Sequence, residues 1–363
     1  MGSVTTPTPT PSAPSVLFVT ANLPTPEDEA DIWIGKIVAY LNYTLDSLRA
    51  RGATVSLRTF QDPTLTAAAI ASTYTHILFL AVDRYMEHIP AFTTFLNTTL
   101  PAAQTLAPGL RIHNPPSIIA WNFNKTYLSE LQSLATGFHV PRTSFLPLST
   151  SLSTLSAHLA ADPHIAAAPS VPVVLKPSIA ASGRGTHLLR APLAPTPADA
   201  DALAAMQAAA ASPDSMLMVQ EYLARIAARD GDAGTGGEWS MVMIDGRLTH
   251  AVRKRPRDGE FRINSAFKGI WEPMAAGDAR VPVCGKVVAE RVWAWLVGKE
   301  SELKGEGRES ELLYARVDGV VGEDGEFVLM EVELIEPWLW MVEEGPGTVG
   351  MGVFCDAVLG GGK

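Results

Sequence analysis

The chain is short of cysteine, of charge, and of positive charge in particular. Its 363 residues include two cysteines, Cys284 and Cys355. These fit neither a zinc-ligand spacing nor the disulfide framework of a small secreted domain, so both are read as buried or incidental thiols. Charged residues make up 18% of the chain, with 28 Lys and Arg against 38 Asp and Glu, a formal net charge of −10. Counterion release on a polyanion needs clustered Lys and Arg, so nucleic acid and anionic membrane are excluded as partners. A single nucleotide is not excluded, because a few basic groups and backbone amides suffice for it. No apolar run reaches the ~20 residues of a membrane helix, and the start MGSVTTPTPTPSAPS has no apolar signal core. A cytoplasmic location follows as the expectation. The Gly-Lys-Ser/Thr that closes a Walker A loop is missing, as is a G-x-S-x-G nucleophile elbow. What is abundant is apolar residues, at 47%, enough for a large core and for two or three domains.

Residues 1–15 are Pro, Thr and Ser and read as a disordered tail. SVLFVT (15–20), ATVSLRTF (53–60) and THILFLAV (75–82) read as buried strands. Between the first two, residues 32–51 carry apolar side chains at helical spacing and stop at Gly52. Strand, helix and strand in alternation imply an α/β fold class with an open parallel sheet, whose ligands lie at the carboxyl ends of its strands. After Asn114 the texture changes. NKTYLSELQSLA (124–135) and the Ala-rich stretch near 196–212 read as helices, and VPVVLKP (171–177) and MLMVQEYL (216–223) as strands. EWSMVMIDGRLTHAVRK (238–254) alternates around Asp245-Gly246, and LLYARVDGVVGEDGEFVLMEVEL (312–334) around Asp324-Gly325, both hairpin signals. The Gly-rich residues between Arg229 and Gly237 read as a mobile loop.

The second hairpin carries the most chemistry. A two-residue turn at Asp324-Gly325 sets Asp318 directly opposite Glu331, and period-two alternation puts Glu333 on the same face. Three carboxylates then converge on a pair of strands otherwise rich in Val, Leu and Met. Half-buried, one of them must take up a proton unless a cation lies between them. All-oxygen donors suit Mg²⁺. The alternative is a solvent-facing strand whose acids are simply hydrated.

Lys176 ends a buried strand just before the small-residue loop Ala180-Ala181-Ser182-Gly183-Arg184-Gly185. Such a loop lets backbone amides approach a phosphate, with Arg184 adding charge, although an ordinary turn has the same composition. Lys125 alone reads as a surface helix lysine. The order of the pieces raises both lysines: lysine, then lysine-Pro-small loop, then Gln-Glu-Tyr-Leu, then a basic hairpin, then three acids.

In that order the chain resembles the ATP-grasp superfamily, within it the glutathione-synthetase-like carboxylate-amine ligases of the cycloserine-biosynthesis type. The pieces are Asn114, WNFNKTYL (121–128), VVLKPSIAASGRGT (173–186), VQEYL (219–223), GEWS (237–240), HAVRKRPRDGEFRIN (250–264), ARVDGV (315–320) and MEVELIEP (330–337). The resemblance implies an N-terminal open parallel-sheet domain (16–113), a lid subdomain (114–218) and a C-terminal subdomain with the metal site (219–363), the last two clamping the nucleotide. It implies that Lys125 and Lys176 hold ATP phosphates and that Ser182, Gly183 and Arg184 cover them. Gln220, Glu221, Tyr222 and Leu223 form the adenine hinge, and Glu238 lies near the ribose. Lys254 and Arg262 neutralise charge on the transferring phosphoryl group. Asp318, Glu331 and Glu333 ligate two Mg²⁺, with Mn²⁺ able to replace them. Glu333 stands where glutathione synthetase more often has Asn.

The reaction so implied joins a small-molecule carboxylate to an amine through an acyl phosphate, releasing ADP and phosphate. Ring closure within one substrate is the near alternative, and a non-catalytic nucleotide-binding protein the distant one. A homodimer is compatible with the sequence. Arg255, Arg257, His250 and Glu336 are read as structural, and Tyr85, Trp121, Phe267 and Trp271 as core aromatics rather than a substrate pocket.

Overall fold

The computed structural model describes all residues except 1–12, 32–33, 83, 134–136, 182, 211, 228–234, 257–268, 305–309, 342–349 and 361–363. Residues 1–12 of the expected tail and most of the expected mobile loop lie outside the described residues, and Ser15, the last residue of that tail, opens the first strand. Among those described, no helix is long and apolar enough to cross a membrane.

The first unit is a four-stranded sheet of β1 (Ser15–Thr20), β2 (Thr54–Thr59), β3 (His76–Ala81) and β4 (Arg111–His113), in the order β2-β1-β3-β4. All its pairings are parallel. Helix Ile34–Arg49 crosses from β1 to β2 and buries Val38, Leu45 and Leu48. The chain leaves that helix through Gly52, whose φ of +87° suits a residue without Cβ.

The second unit is an antiparallel sheet of β5 (Thr143–Pro147), β6 (Val173–Pro177), β7 (His187–Leu189) and β8 (Met216–Glu221), in the order β5-β8-β6-β7. Helices Leu152–Ala161 and Pro197–Ala208 cover one face through Leu155, Leu159, Leu203 and Met206.

The third unit is a five-stranded antiparallel sheet: β9 (Glu238–Ile244), β10 (Arg247–Arg255), β11 (Ile270–Ala275), β12 (Tyr314–Val321) and β13 (Phe327–Glu333), in the order β11-β10-β9-β12-β13. Strands β9 and β12 are buried along their whole length, because both faces of the sheet are covered. Alternation sorts them. Met241 and Met243 of β9 join Ala289, Val292 and Leu296 of the long helix Val283–Lys304, while Val242 and Ile244 pack with Val16 and Phe18 of the first unit and Phe354. On β12, Ala315 and Val317 face the long helix, and Tyr314 faces the first unit. Arg316 and Asp318 therefore share the face of Tyr314.

Strand β13 is an edge strand, and its free edge is closed by side chains. The Tyr127 hydroxyl donates to the Val332 carbonyl (3.0 Å) and accepts from the Val332 amide (2.8 Å). Asn122 donates to the Val332 carbonyl (2.8 Å) and accepts from the Leu334 amide (3.1 Å). Asn114 donates to the carbonyls of Tyr314 (2.9 Å) and Leu334 (2.8 Å) and accepts from the amides of Leu313 (2.8 Å) and Tyr314 (3.3 Å). These contacts fix β13, and with it the acids it carries.

Candidate active site

The register of β12 on β13 pairs Asp318 with Glu331 and Arg316 with Glu333. The expected opposition of two acids is present, but the expected turn is not. Near the turn, Val321 pairs with Phe327 and Gly319 with Leu329, so the connection is longer than Asp324-Gly325 alone. A bulge at Met330, between Leu329 and Glu331, restores the register before the acids. Gly319 permits this close approach: a Cβ there would lie 2.4 Å from the Val328 carbonyl oxygen. The hairpin β9–β10, by contrast, does turn on Asp245-Gly246, both at positive φ (48° and 76°), as a two-residue hairpin requires.

Around these strands lies one cleft of about 1010 Å³ between the three units. Every described residue among the site candidates lines it: Lys125, Lys176, Gly183, Arg184, Gln220, Glu221, Tyr222, Leu223, Glu238, Lys254, Asp318, Glu331 and Glu333. Ser182 and Arg262 lie outside the described residues, as do Arg257 and Phe267.

The charges interlock. Lys125 Nζ lies 2.9 Å from Glu331 and donates to the Ala180 carbonyl at 2.7 Å. Lys254 contacts Glu238, its cross-strand partner, and Asp318 at 3.3 Å. Arg316 grips Asp318 at 2.8 Å and also reaches Glu333. Ser240 donates to Asp318 at 2.6 Å. Asp318 is at the floor, its side chain 4% exposed, whereas those of Glu331 and Glu333 are 25% and 31% exposed and open to a ligand. Lys176, at the end of β6, makes no ion pair within 4 Å among the described residues.

The protonation balance follows. Burial opposes ionisation of Asp318, but Arg316, then Lys254 and Ser240, outweigh it and hold the carboxyl at about 2. Burial likewise opposes ionisation of Glu331, and Lys125 with Lys176 pulls it below its usual value. Glu333 goes the other way: burial pushes it up to about 7, with repulsion from Glu331 and Asp318 outlasting the help of Arg316. Glu238 is raised by burial against the pull of Lys254. Burial lowers Lys176, with Glu331 opposing. A divalent cation among these oxygens would remove the repulsion that raises Glu333. The donor set therefore fits such an ion in kind. It is not a ready cage: among the described residues no three acidic, His or Cys side chains are gathered to hold a metal, and the acids are instead neutralised by cations, Asp318 and Glu333 by Arg316 and Glu331 by Lys125.

Other side chains read from the sequence take these places. Arg184 extends to Glu87 of the first unit (3.2 Å) on the exposed rim. Glu221 turns toward Arg142 (3.8 Å), and the Gln220 amide donates to Thr143 (2.9 Å). Lys125 is not a surface lysine, its side chain being 15% exposed. Trp271 and Tyr85 line the cleft as well as packing inward, a correction to the reading of both as core alone; Trp121 does pack inward, against Tyr127 and Trp295. His250 is buried within its sheet, 2.6 Å from the Leu339 carbonyl. Arg316 was not singled out, although it stands two residues from Asp318 and directly across from Glu333, so the period-two rule already put it on the acid face. Asn122 and Tyr127 carried no such signal, because closing a strand edge has no sequence spacing.

No family model matches the sequence, and no curated protein matches it. Solved structures do. D-cycloserine synthetase DcsG superposes with a TM-score of 0.66 at 22% identity, over 96% of this chain and 100% of that one. The D-alanyl-alanine synthetase A of Vibrio cholerae O1 biovar eltor superposes at 0.60 and 13% identity, over 96% and 98%. The ATP-grasp ligase PsnB, in complex with its minimal precursor, Mg and ADP, superposes at 0.52 and 18%, over 95% and 97%. The chain has the mixed α/β fold of the ATP-grasp ligases along nearly its full length.

Proposed function

We propose that this protein is an ATP-dependent carboxylate-amine ligase that works through an acyl phosphate. The observation that carries the reading is the pairing of Asp318 with Glu331 across β12–β13 in the same cleft as Lys125, Lys176 and Lys254. The fold shared with ligases, one of them in complex with Mg and ADP, supports it.

In this reading ATP lies with its adenine at Gln220–Leu223, its ribose near Glu238 and its phosphates along Lys125, Lys176 and the turn at Gly183. Asp318, Glu331 and Glu333 would hold the two Mg²⁺ ions, or Mn²⁺ in their place, which neutralise phosphate charge and align the γ-phosphoryl group. Lys125 and Arg316, paired with those acids, stand where they can also donate to phosphate and acyl oxygens. Lys254 holds positive charge where the phosphoryl group is transferred, and Arg262 is assigned the same task from the sequence. The substrate carboxylate attacks the γ-phosphorus, and the bond to the β-γ bridging oxygen breaks, giving acyl phosphate and ADP. The amine then attacks the acyl carbon and phosphate leaves, with cations stabilising the oxyanion. Small-molecule acids and amines are the proposed substrates.

The test is turnover of purified protein with ATP, Mg²⁺, hydroxylamine and a panel of carboxylic acids. Hydroxamate and ADP in equal amounts are expected. AMP as the product, or no acid-dependent nucleotide cleavage with any acid, contradicts the reading. Ring closure within one substrate is a second reading, favoured by the likeness to a synthetase named for a cyclic product. A substrate consumed without added amine would select it.

A further inference from the structure

Beyond the phosphate-side charges the cleft continues under the first unit, and its wall changes character. Trp340 marks the boundary. It is 3% exposed, with the Arg316 guanidinium 5.5 Å and Lys254 Nζ 5.8 Å from its ring and Trp271 edge-on at 5.9 Å. Next comes Trp338, whose carbonyl accepts from Arg316 at 3.4 Å and whose ring stacks on Tyr40 at 4.6 Å. Helix Ile34–Arg49 supplies the facing wall. Ile34, Ile37, Leu41 and Thr44 line the cleft from one helical face. Ile34 and Ile37 are 43% and 39% exposed, and Leu23, beyond β1, is 51% exposed. Large apolar side chains gathered on a concave wall mark a ligand surface rather than scattered surface residues. The indole N–H groups of Trp338 and Trp340 are buried without an acceptor among the described residues, a cost that a ligand oxygen reaching them would relieve. The volume, about 1010 Å³, stands at the top of the range for one bound ligand, roughly 300–1,000 Å³, which leaves room for a second molecule beside a nucleotide.

We infer that this half of the cleft selects the acid partner, and that the acid is amphipathic: a carboxylate bearing an aromatic or branched apolar side chain, rather than a small polar acid. The inference rests on the ligase reading above. The apolar wall begins at the cations Arg316 and Lys254, beside which a carboxylate must lie to meet the phosphoryl group. The wall therefore receives the side chain of that same molecule. Trp338 and Ile37 are specificity-determining residues in this arrangement, and Trp340 positions Arg316 and Lys254 through its ring face.

The experiment compares 3-phenylpropionate with propionate. Equilibrium dialysis against the full chain, loaded with Mg²⁺ and a non-hydrolysable ATP analogue, should give a Kd at least about 10-fold lower for the phenyl acid. Trp338→Ala and Ile37→Asp should each erase that advantage while nucleotide affinity is retained; Ile37 is exposed, so its substitution leaves the core intact. ADP release with hydroxylamine should rank the two acids in the same order through KM. Equal affinities, no binding of either acid, or an advantage that survives both substitutions overturns the inference. If both acids then still release ADP alike, the ligase reading stands and only the pocket falls. If dialysis discriminates but no acid elicits ADP release, the pocket stands and the ligase reading falls.

Discussion

The strand pair β12–β13 and the loop after β6 share one cleft and are held in opposite ways. The strand pair is over-determined. The edge of β13 is closed by Tyr127, Asn122 and Asn114, whose side chains are buried and hydrogen-bonded on both sides. The loop is under-determined. Ser178 and Ile179 still bond to Met216, Lys125 and Ser215, but from Ala180 to Gly185 the described backbone contacts are the loop's own turns, Arg184 to Ala181 and Thr186 to Gly183, and one tie from Lys125 Nζ to the Ala180 carbonyl. Its outer anchor, Arg184 to Glu87, is a solvent-exposed ion pair, a kind worth roughly 0–1 kcal/mol. Groups whose separation sets the charge balance ride on the rigid element, and in the proposed function the loop that would admit a nucleotide is the less tightly held one.

Substitutions can break this contrast from either side. The largest effect is expected for Glu331→Ala, which removes the exposed acid paired with Lys125. Turnover should fall by more than about 100-fold, since even outer partners of metal ligands cost 10- to 100-fold. Retained turnover would mean that the strand pair is scaffold only. Lys176→Ala should weaken nucleotide binding by roughly 10- to 100-fold, the worth of a charged hydrogen bond, measured as Kd by titration. It should not lower Tm, because it removes a half-buried cation that makes no ion pair among the described residues. A fall in both would erase the distinction between loop and platform. Tyr127→Phe should lower stability by about 1–3 kcal/mol, leaving the buried Val332 amide without its acceptor. Urea unfolding reads this, and an unchanged midpoint would show that the edge is not held as described.

The smallest effect sharpens the contrast through pH. His113, beside Asn114, donates from Nδ1 to the Glu311 carbonyl at 3.2 Å and stacks on His76. Burial pushes His113 down to about 3 and His76 down to about 4. Both are neutral in the fold at pH 7, whereas unfolded histidine titrates near 6.5. The unfolded chain thus binds more protons below that value, so stability is full above about pH 6.5 and is lost as pH falls toward 4 and 3. The slope approaches about 1.4 kcal/mol per pH unit for each group. His113→Gln should flatten the dependence of Tm on pH between 6.5 and 5; an unaltered slope would assign it elsewhere.

The sequence was legible where side-chain period and chain punctuation carry the information. The β1, β2 and β3 strands, the helix stopping at Gly52 and the hairpin at Asp245-Gly246 are local features, and they stand as read. The opposition of Asp318 and Glu331 was also read, though by a turn the chain does not make: the longer connection and the bulge at Met330 cancel. The three-residue strands β4 and β7 carry too few residues for a period to emerge. The helix Val283–Lys304 has weak apolar patterning because apolar side chains also stand on its outer face, with Val283 and Val287 exposed. Within the site, Arg316 was readable and Tyr127 was not, since the first obeys strand alternation and the second acts across a distance of 205 residues in sequence. The aromatic half of the cleft was unreadable for the same reason: Tyr40, Trp271, Trp338 and Trp340 come from separate segments.

The central claim is that a carboxylate oxygen of the substrate attacks phosphorus. Oxygen-18 in the carboxylate of an accepted acid follows it directly. On full turnover with ATP and hydroxylamine, one labelled oxygen is predicted in each inorganic phosphate released, read by mass spectrometry. Unlabelled phosphate, with both labelled oxygens kept in the acid or its label carried into AMP, would contradict the account.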